Sequence, residues 1–149
     1  MDPEEQPYEQ PVYTIPLDEV LAFVRMQTKR PDAGADSDLF ADLHCTGKSF
    51  NKLVEAFGRE FNVDVTGYKW YFHTDEDDHS IGTMLFKPPN ERVQRMPITP
   101  EKLWVMANEG HWNINYPEHE LPSSRADIFI NILIFIAGAL LLAYIAKRW

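Results

Sequence analysis

The chain has 149 residues, enough for one compact domain and an appendage. Hydrophobic residues make up 44% and charged residues 25%, with a formal net charge of −9, a balance that argues against charge-driven binding to nucleic acid or to anionic lipid. The single cysteine, Cys45, excludes an internal disulfide and fits a reducing compartment.

Residues 1–15 read as a disordered lead-in, with Pro3, Pro7 and Pro11 set among Glu4, Glu5 and Glu9. A globular domain is expected over residues 16–122. Leu17, Val20, Leu21 and Val24 recur at helical spacing after Pro16, and this first helix should end before Pro31. Asp32–Asp38 is a loop of Asp, Ala, Gly and Ser, followed by a short turn with apolar Leu39, Phe40 and Leu43. A second helix is predicted from about Lys48 to Phe61. Phe50, Leu53, Val54, Phe57 and Phe61 form its buried stripe, Asn51, Lys52, Glu55, Arg59 and Glu60 its polar face, and Thr46 or Ser49 its cap. Asn62–Val65 leads out as an extended piece.

The aromatic run Tyr68–Phe72 should pack on the same core, and Thr74–Ser80 is an acidic loop. Thr83–Phe86 reads as a short strand, and Lys87–Pro97, with three prolines, as irregular chain. Thr99 and Pro100 mark the start of a third helix, continued by Leu103, Val105 and Met106 and ended by Gly110. Trp112, Ile114 and Tyr116 alternate with Asn113 and Asn115 in the pattern of a half-buried strand. The class expected is therefore mainly α with a short β element.

Residues 123–127 link this domain to Ile128–Ala146, nineteen residues without a charge and with Asn131 as the strongly polar exception. As a helix the segment spans about 28 Å at ~1.5 Å per residue, close to the ~30 Å thickness of a bilayer core. A soluble core helix of that length would carry a polar stripe. Tyr144, Lys147, Arg148 and Trp149 suit the water interface at its end. The reading is one C-terminal transmembrane helix, with the bilayer as a partner. Ala139 and Ala143, with Asn131, raise lateral helix association as a further possibility, beside simple lipid exposure. No signal peptide is evident, since Met1–Glu9 is acidic and no apolar run follows. The expectation is a single pass through the inner (plasma) membrane with the domain cytoplasmic, although Lys147 and Arg148 pull the other way under the positive-inside tendency. Residues 1–127 hold 12 basic and 23 acidic residues, a net of −11.

Chemical motifs are few. His73 and His79 flank four carboxylates at Asp75–Asp78, a possible divalent-metal set, but the spacing matches no calcium loop or zinc motif and a solvated acidic loop is the plainer reading. The pair His44–Cys45 lacks an orienting third group, so Cys45 reads as a buried structural thiol. Ser49 stands in no hydrolase elbow. Gly47-Lys48-Ser49 lacks the upstream glycine of a phosphate loop, because Asp42 occupies that place.

The run Asp42-Leu43, Leu53, Glu60-Phe61 and Val63 resembles, at matching intervals, the central segment of acyl carrier proteins. More closely, Asp38–Leu43, Phe57, Phe61–Asp64 and the stretch Ile98–Pro100 to Gly110–Trp112 resemble an uncharacterised enterobacterial family of carrier-like small proteins, over roughly residues 17–122. The resemblance implies a helical carrier scaffold. At its chemical centre it breaks: carrier proteins attach phosphopantetheine to a serine five residues after the first Asp of the Asp-Leu pair, and that position is Gly47 here, flanked by Thr46 and Lys48. Ser49 is two residues on, turned about 200° around a helix. The reading is thus a non-enzymatic, membrane-tethered adaptor on a degenerate carrier scaffold, with no cofactor. It would use Asp42, Glu55, Glu60 and Asp64 against a basic protein surface. The rivals are a working carrier modified at Ser49 and a small membrane protein acting through its transmembrane helix.

Overall fold

A computed structural model of the chain describes residues 14–76, 85, 87–121 and 126–148. Among these residues it holds four α-helices: α1 Leu17–Thr28, α2 Gly47–Glu60, α3 Pro100–Glu109 and α4 Ala126–Arg148. Two 3-10 turns, Trp70–Phe72 and Pro89–Glu91, lie between α2 and α3 and pack on each other. The mainly helical class expected from the apolar periodicity is the class observed.

The predicted stripe of α2 is the centre of the core. Phe50, Leu53, Val54, Phe57 and Phe61 are all buried, and Phe23 of α1 meets Phe61 edge-on with ring centroids 5.4 Å apart. Helix α1 ends at Lys29, which takes the left-handed conformation and returns its N–H to the Arg25 carbonyl, two residues before Pro31. Helix α3 starts as its sequence dictates, with Thr99 Oγ1 accepting the Lys102 N–H at 3.3 Å. It ends at Gly110, whose φ of 78° favours glycine. It packs on α1 and buries Leu103, Met106 and Ala107. The 32–45 loop is laced to the start of α3: Leu39 N–H donates to the Ile98 carbonyl and Glu101 N–H to the Ala35 carbonyl, each at 2.9 Å. Burial works to raise the Asp38 carboxyl, but Arg95 at 2.7 Å and the Phe40 N–H outweigh it and hold the group below the usual carboxylate range.

Three local expectations need correction. The strand at Trp112–Tyr116 does not form. Among the described residues the chain pairs in parallel only at Asp64 and His111, where Asp64 N–H donates to the Gly110 carbonyl and Trp112 N–H to the Asp64 carbonyl. The alternation of apolar residues is real, but among the described residues no neighbouring strand continues the ladder, and the rings of Trp112 and Tyr116 pack into an aromatic cluster instead. Thr46 stands at the cap position of α2 without a side-chain bond, because Ser49 N–H already bonds the Thr46 carbonyl at 3.0 Å. The end of the lead-in is held: Ile15 N–H donates to Asn108 Oδ1, and its carbonyl accepts from Trp104 Nε1 at 2.7 Å. Residues 1–13 and the Thr83–Phe86 strand lie outside the described residues, save Leu85, which is exposed.

Helix α4 follows a different rule. Its segment Ile128–Arg148 has a mean hydropathy of 2.7, and none of its apolar window is buried against the protein. Phe135 is 79% exposed. In water such a surface would be costly at about 25 cal/mol per Å². The helix is long and apolar enough to cross a membrane.

Candidate functional site

The polar centre of the domain is a wired aromatic cluster around His73, which is fully buried. The 3-10 turn Trp70–Phe72 delivers it inward, as His73 N–H closes the turn onto the Trp70 carbonyl at 2.9 Å. Its ring lies parallel to Phe50 of α2 and to Tyr68, with centroids 6.3 and 5.7 Å away, and edge-on to Trp112 and Tyr116. The hydrogen bonds fix the proton arrangement. Nδ1 sits 2.8 Å from the Met96 carbonyl, which only accepts, so Nδ1 carries the proton. Nε2 is therefore the acceptor and takes the Tyr116 hydroxyl at 2.8 Å. Tyr116 Oη in turn accepts from Trp112 Nε1 at 2.8 Å and from the Lys69 N–H at 3.2 Å. Every donor in this chain points the same way. Burial pushes His73 down to about 4, against the opposing bond to the Met96 carbonyl, so the ring is neutral.

Thr74, also buried, continues the network to α2: its Oγ1 accepts the Gly47 N–H at 2.6 Å. The solvated-loop reading of 73–79 therefore fails for its first two residues. Asp77, Asp78 and His79 lie outside the described residues, and among those described no group of three or more His, Cys, Asp or Glu side chains converges on a common point.

Gly47 is buried and has a φ of 48°, the left-handed region that favours glycine. Gly47 is thus turned inward and bonded to Thr74. Ser49, two residues on in the first turn of α2, is exposed. Cys45 is buried as expected, and burial pushes its thiol up to about 11.

The four partner-binding candidates lie in the turn before α2, on α2 itself and in the segment after it. Asp42, in the turn before α2, accepts the Asp38 N–H at 2.7 Å. Asp64, after α2, accepts the Thr66 N–H at 2.9 Å, and that bond holds its carboxyl below the ordinary range. Glu55 and Glu60 are exposed on α2, about 140° apart around the axis. Glu55 shares its stripe with exposed Lys48, Lys52 and Arg59, so this face of α2 carries mixed charge rather than an acidic one.

Beyond Tyr116 the chain lies as a strap over the aromatic turn. Tyr71 hydroxyl donates to His119 Nε2 at 2.9 Å, while His119 Nδ1 donates to the Pro117 carbonyl at 2.8 Å. The His119 ring stands edge-on to Phe72, and Lys69 Nζ lies 5.3 Å from the centre of the Tyr116 ring. Between strap and turn is an open depression of about 650 Å³, bordered by Lys69, Tyr116, Glu118, His119 and Glu120.

A family model described as "Protein of unknown function (DUF1493)" matches residues 6–115. The chain belongs to this family. No curated protein and no solved structure matches it. The match covers α1, α2, α3 and the whole His73 network but for Tyr116, and stops before the strap and α4.

The His73 network was missed in the sequence because the acidic residues after it dominate the local pattern. One signal was available. His73 directly follows Trp70–Phe72, and four aromatic residues with potential core roles lie at Tyr68, Phe72, Trp112 and Tyr116. A buried imidazole that satisfies such hydroxyl and indole groups is an ordinary core solution.

Proposed function

We propose that the chain is a membrane-tethered, non-enzymatic binding module, built on a helical scaffold of the carrier kind that has lost its attachment serine. The observation that carries this reading is α4, a 23-residue helix whose apolar surface lies entirely open beside a domain that closes its own core. Such a helix is stable in a bilayer, where its backbone bonds are internally satisfied and its side chains meet lipid. The membrane we propose is the inner (plasma) membrane, crossed once, with the domain on the cytoplasmic side.

Two further observations support a binding role over covalent chemistry. The attachment position is a buried glycine whose N–H is committed to Thr74. The core groups with chemical potential, Cys45 and His73, are buried as a protonated thiol and a doubly bonded neutral imidazole. Of the four carboxylates, Glu55 and Glu60 are those without a backbone N–H already upon them. The partner we propose is a protein surface whose basic groups meet these two, with acidic groups opposite Lys52 and Arg59.

The full chain should sediment with membranes and resist carbonate extraction. Its intact mass after co-expression with a phosphopantetheinyl transferase should be that of the bare polypeptide. A photo-crosslinker placed at Glu55 should trap a protein partner that one placed at Asp18 does not. Release by carbonate would remove the membrane reading, and a mass gain lost in Ser49→Ala would replace the adaptor with a working carrier.

A further inference from the structure

We infer that the aromatic turn Lys69-Trp70-Tyr71 docks on the headgroup layer of the bilayer that receives α4, and that its partner is a zwitterionic lipid surface. This rests on the membrane reading of α4 and adds a second, peripheral contact to it.

Tether length carries the inference. His119 is held to the domain through Tyr71 and Phe72, and α4 begins at Ala126. Seven peptide steps separate them, about 25 Å at full extension. A domain of some 100 residues has a radius of gyration of about 13 Å and is therefore about 35 Å across. The reach of the tether is shorter than the domain is wide. The domain cannot turn its opposite side to the bilayer without stripping the strap from its seat. The face that bears Tyr71 and His119, where the tether leaves, is the one kept beside the lipid.

The chemistry of that face agrees with its position. Trp70 and Tyr71 stand edge to face, with centroids 5.8 Å apart, and neither belongs to the core cluster nor to the side chains packed against it. Each is half-buried, with part of its ring left to solvent. Lys69, which precedes them in the chain, holds its ammonium over the Tyr116 ring. Tryptophan, tyrosine and a snorkelling lysine are the side chains that favour the boundary between water and hydrocarbon. The neighbouring carboxylates Glu118 and Glu120, which border the same depression, repel anionic headgroups. The surface therefore suits phosphocholine-type or phosphoethanolamine-type lipid.

The test uses the full chain, with Trp149→Phe to silence the end of α4, in phosphatidylcholine vesicles brominated on the acyl chains near the headgroup. Bromine quenches indole emission only at short range. The expected result is co-flotation with the vesicles and a loss of emission that Trp70→Phe removes, while Trp104 and Trp112 stay unquenched. Diluting the brominated lipid with anionic phosphatidylglycerol should lower the quenching more than dilution with unbrominated phosphatidylcholine. Co-flotation without Trp70-dependent quenching overturns the docking and leaves the membrane helix standing. Absence of co-flotation overturns both. Stronger quenching on adding the anionic lipid overturns the assignment of a zwitterionic partner.

Discussion

Acidification offers the sharpest probe of the buried network. His73 is fully buried and holds its pKa at about 4, against ~6.5 in an unfolded chain. The folded pKa is the lower one, so the unfolded state binds the extra proton. Stability from this group is complete above pH ~6.5 and falls as pH drops towards 4, by about 1.4 kcal/mol per pH unit between those limits and about 3 kcal/mol in all. Burial sets the direction, and the groups that face His73 add smaller effects. The Met96 carbonyl and Asp38 favour the charged ring, Lys102 and Arg95 oppose it, and burial outweighs them all. Protonation would also place a hydrogen on Nε2, against a Tyr116 hydroxyl that would then have to accept three bonds. Urea unfolding of the full chain in neutral detergent, followed by tryptophan emission between pH 7.5 and 5, measures the slope. The comparison is His73→Phe, which removes the titrating ring, deprives the Met96 carbonyl of its side-chain donor and leaves the Tyr116 hydroxyl proton without an acceptor, at about 1–3 kcal/mol for each buried group. The variant should be less stable at pH 7.5, and the gap should narrow steadily as pH falls from 6.5 to 5. Contributions from the rest of the chain are common to both proteins and cancel in the difference. Parallel curves over that window would refute the assignment of a neutral, buried His73.

What the sequence could disclose follows the range of the forces involved. Helices α1, α2 and α3 were legible because their signals are local: apolar residues at three- and four-residue spacing, Pro16 and Thr99-Pro100 at the starts, Gly110 at an end. The apolar segment was legible for the same reason, since length and composition alone define it. The strand at Trp112–Tyr116 was misread because alternation describes a side chain's facing and says nothing of a partner strand. Asp42, Glu60 and Asp64 were selected by position in a resembling motif and Glu55 from the polar face of α2, and neither signal could show that backbone N–H groups already occupy Asp42 and Asp64. The His73 network was invisible because it joins Met96, Trp112, Tyr116 and Gly47 through Thr74, contacts that span up to 43 residues. Nor does spacing reveal a backbone angle: Gly47 was noted for its missing hydroxyl, whereas its left-handed conformation and its burial follow from the long-range bond to Thr74.

Two substitutions separate packing from surface on α2. Phe57 is fully buried and its ring lies 5.4 Å from Phe61, so Phe57→Ala should cost about 3–5 kcal/mol in urea unfolding. Glu55→Ala, exposed on the opposite side, should change stability by less than ~0.5 kcal/mol, and equal losses would mean that the register of α2 is wrong. Gly47→Ser tests the proposed carrier kinship directly, because it places a hydroxyl where the resemblance to carrier proteins implies an attachment serine. The φ of 48° puts a side chain in the left-handed region, at a cost of about 1–2 kcal/mol for a non-glycine residue. The new hydroxyl would also lie inside the protein, next to a backbone N–H held by Thr74 at 2.6 Å. A transferase needs its serine exposed and free to meet a bulky phosphopantetheine donor. The expected outcome is a destabilised protein whose intact mass, after co-expression with a phosphopantetheinyl transferase, shows no added arm. A variant of wild-type stability that gains the arm would mean that the start of α2 opens readily to solvent, and under the proposed carrier reading a single oxygen, rather than the way the helix is seated, would then decide whether an arm can be attached.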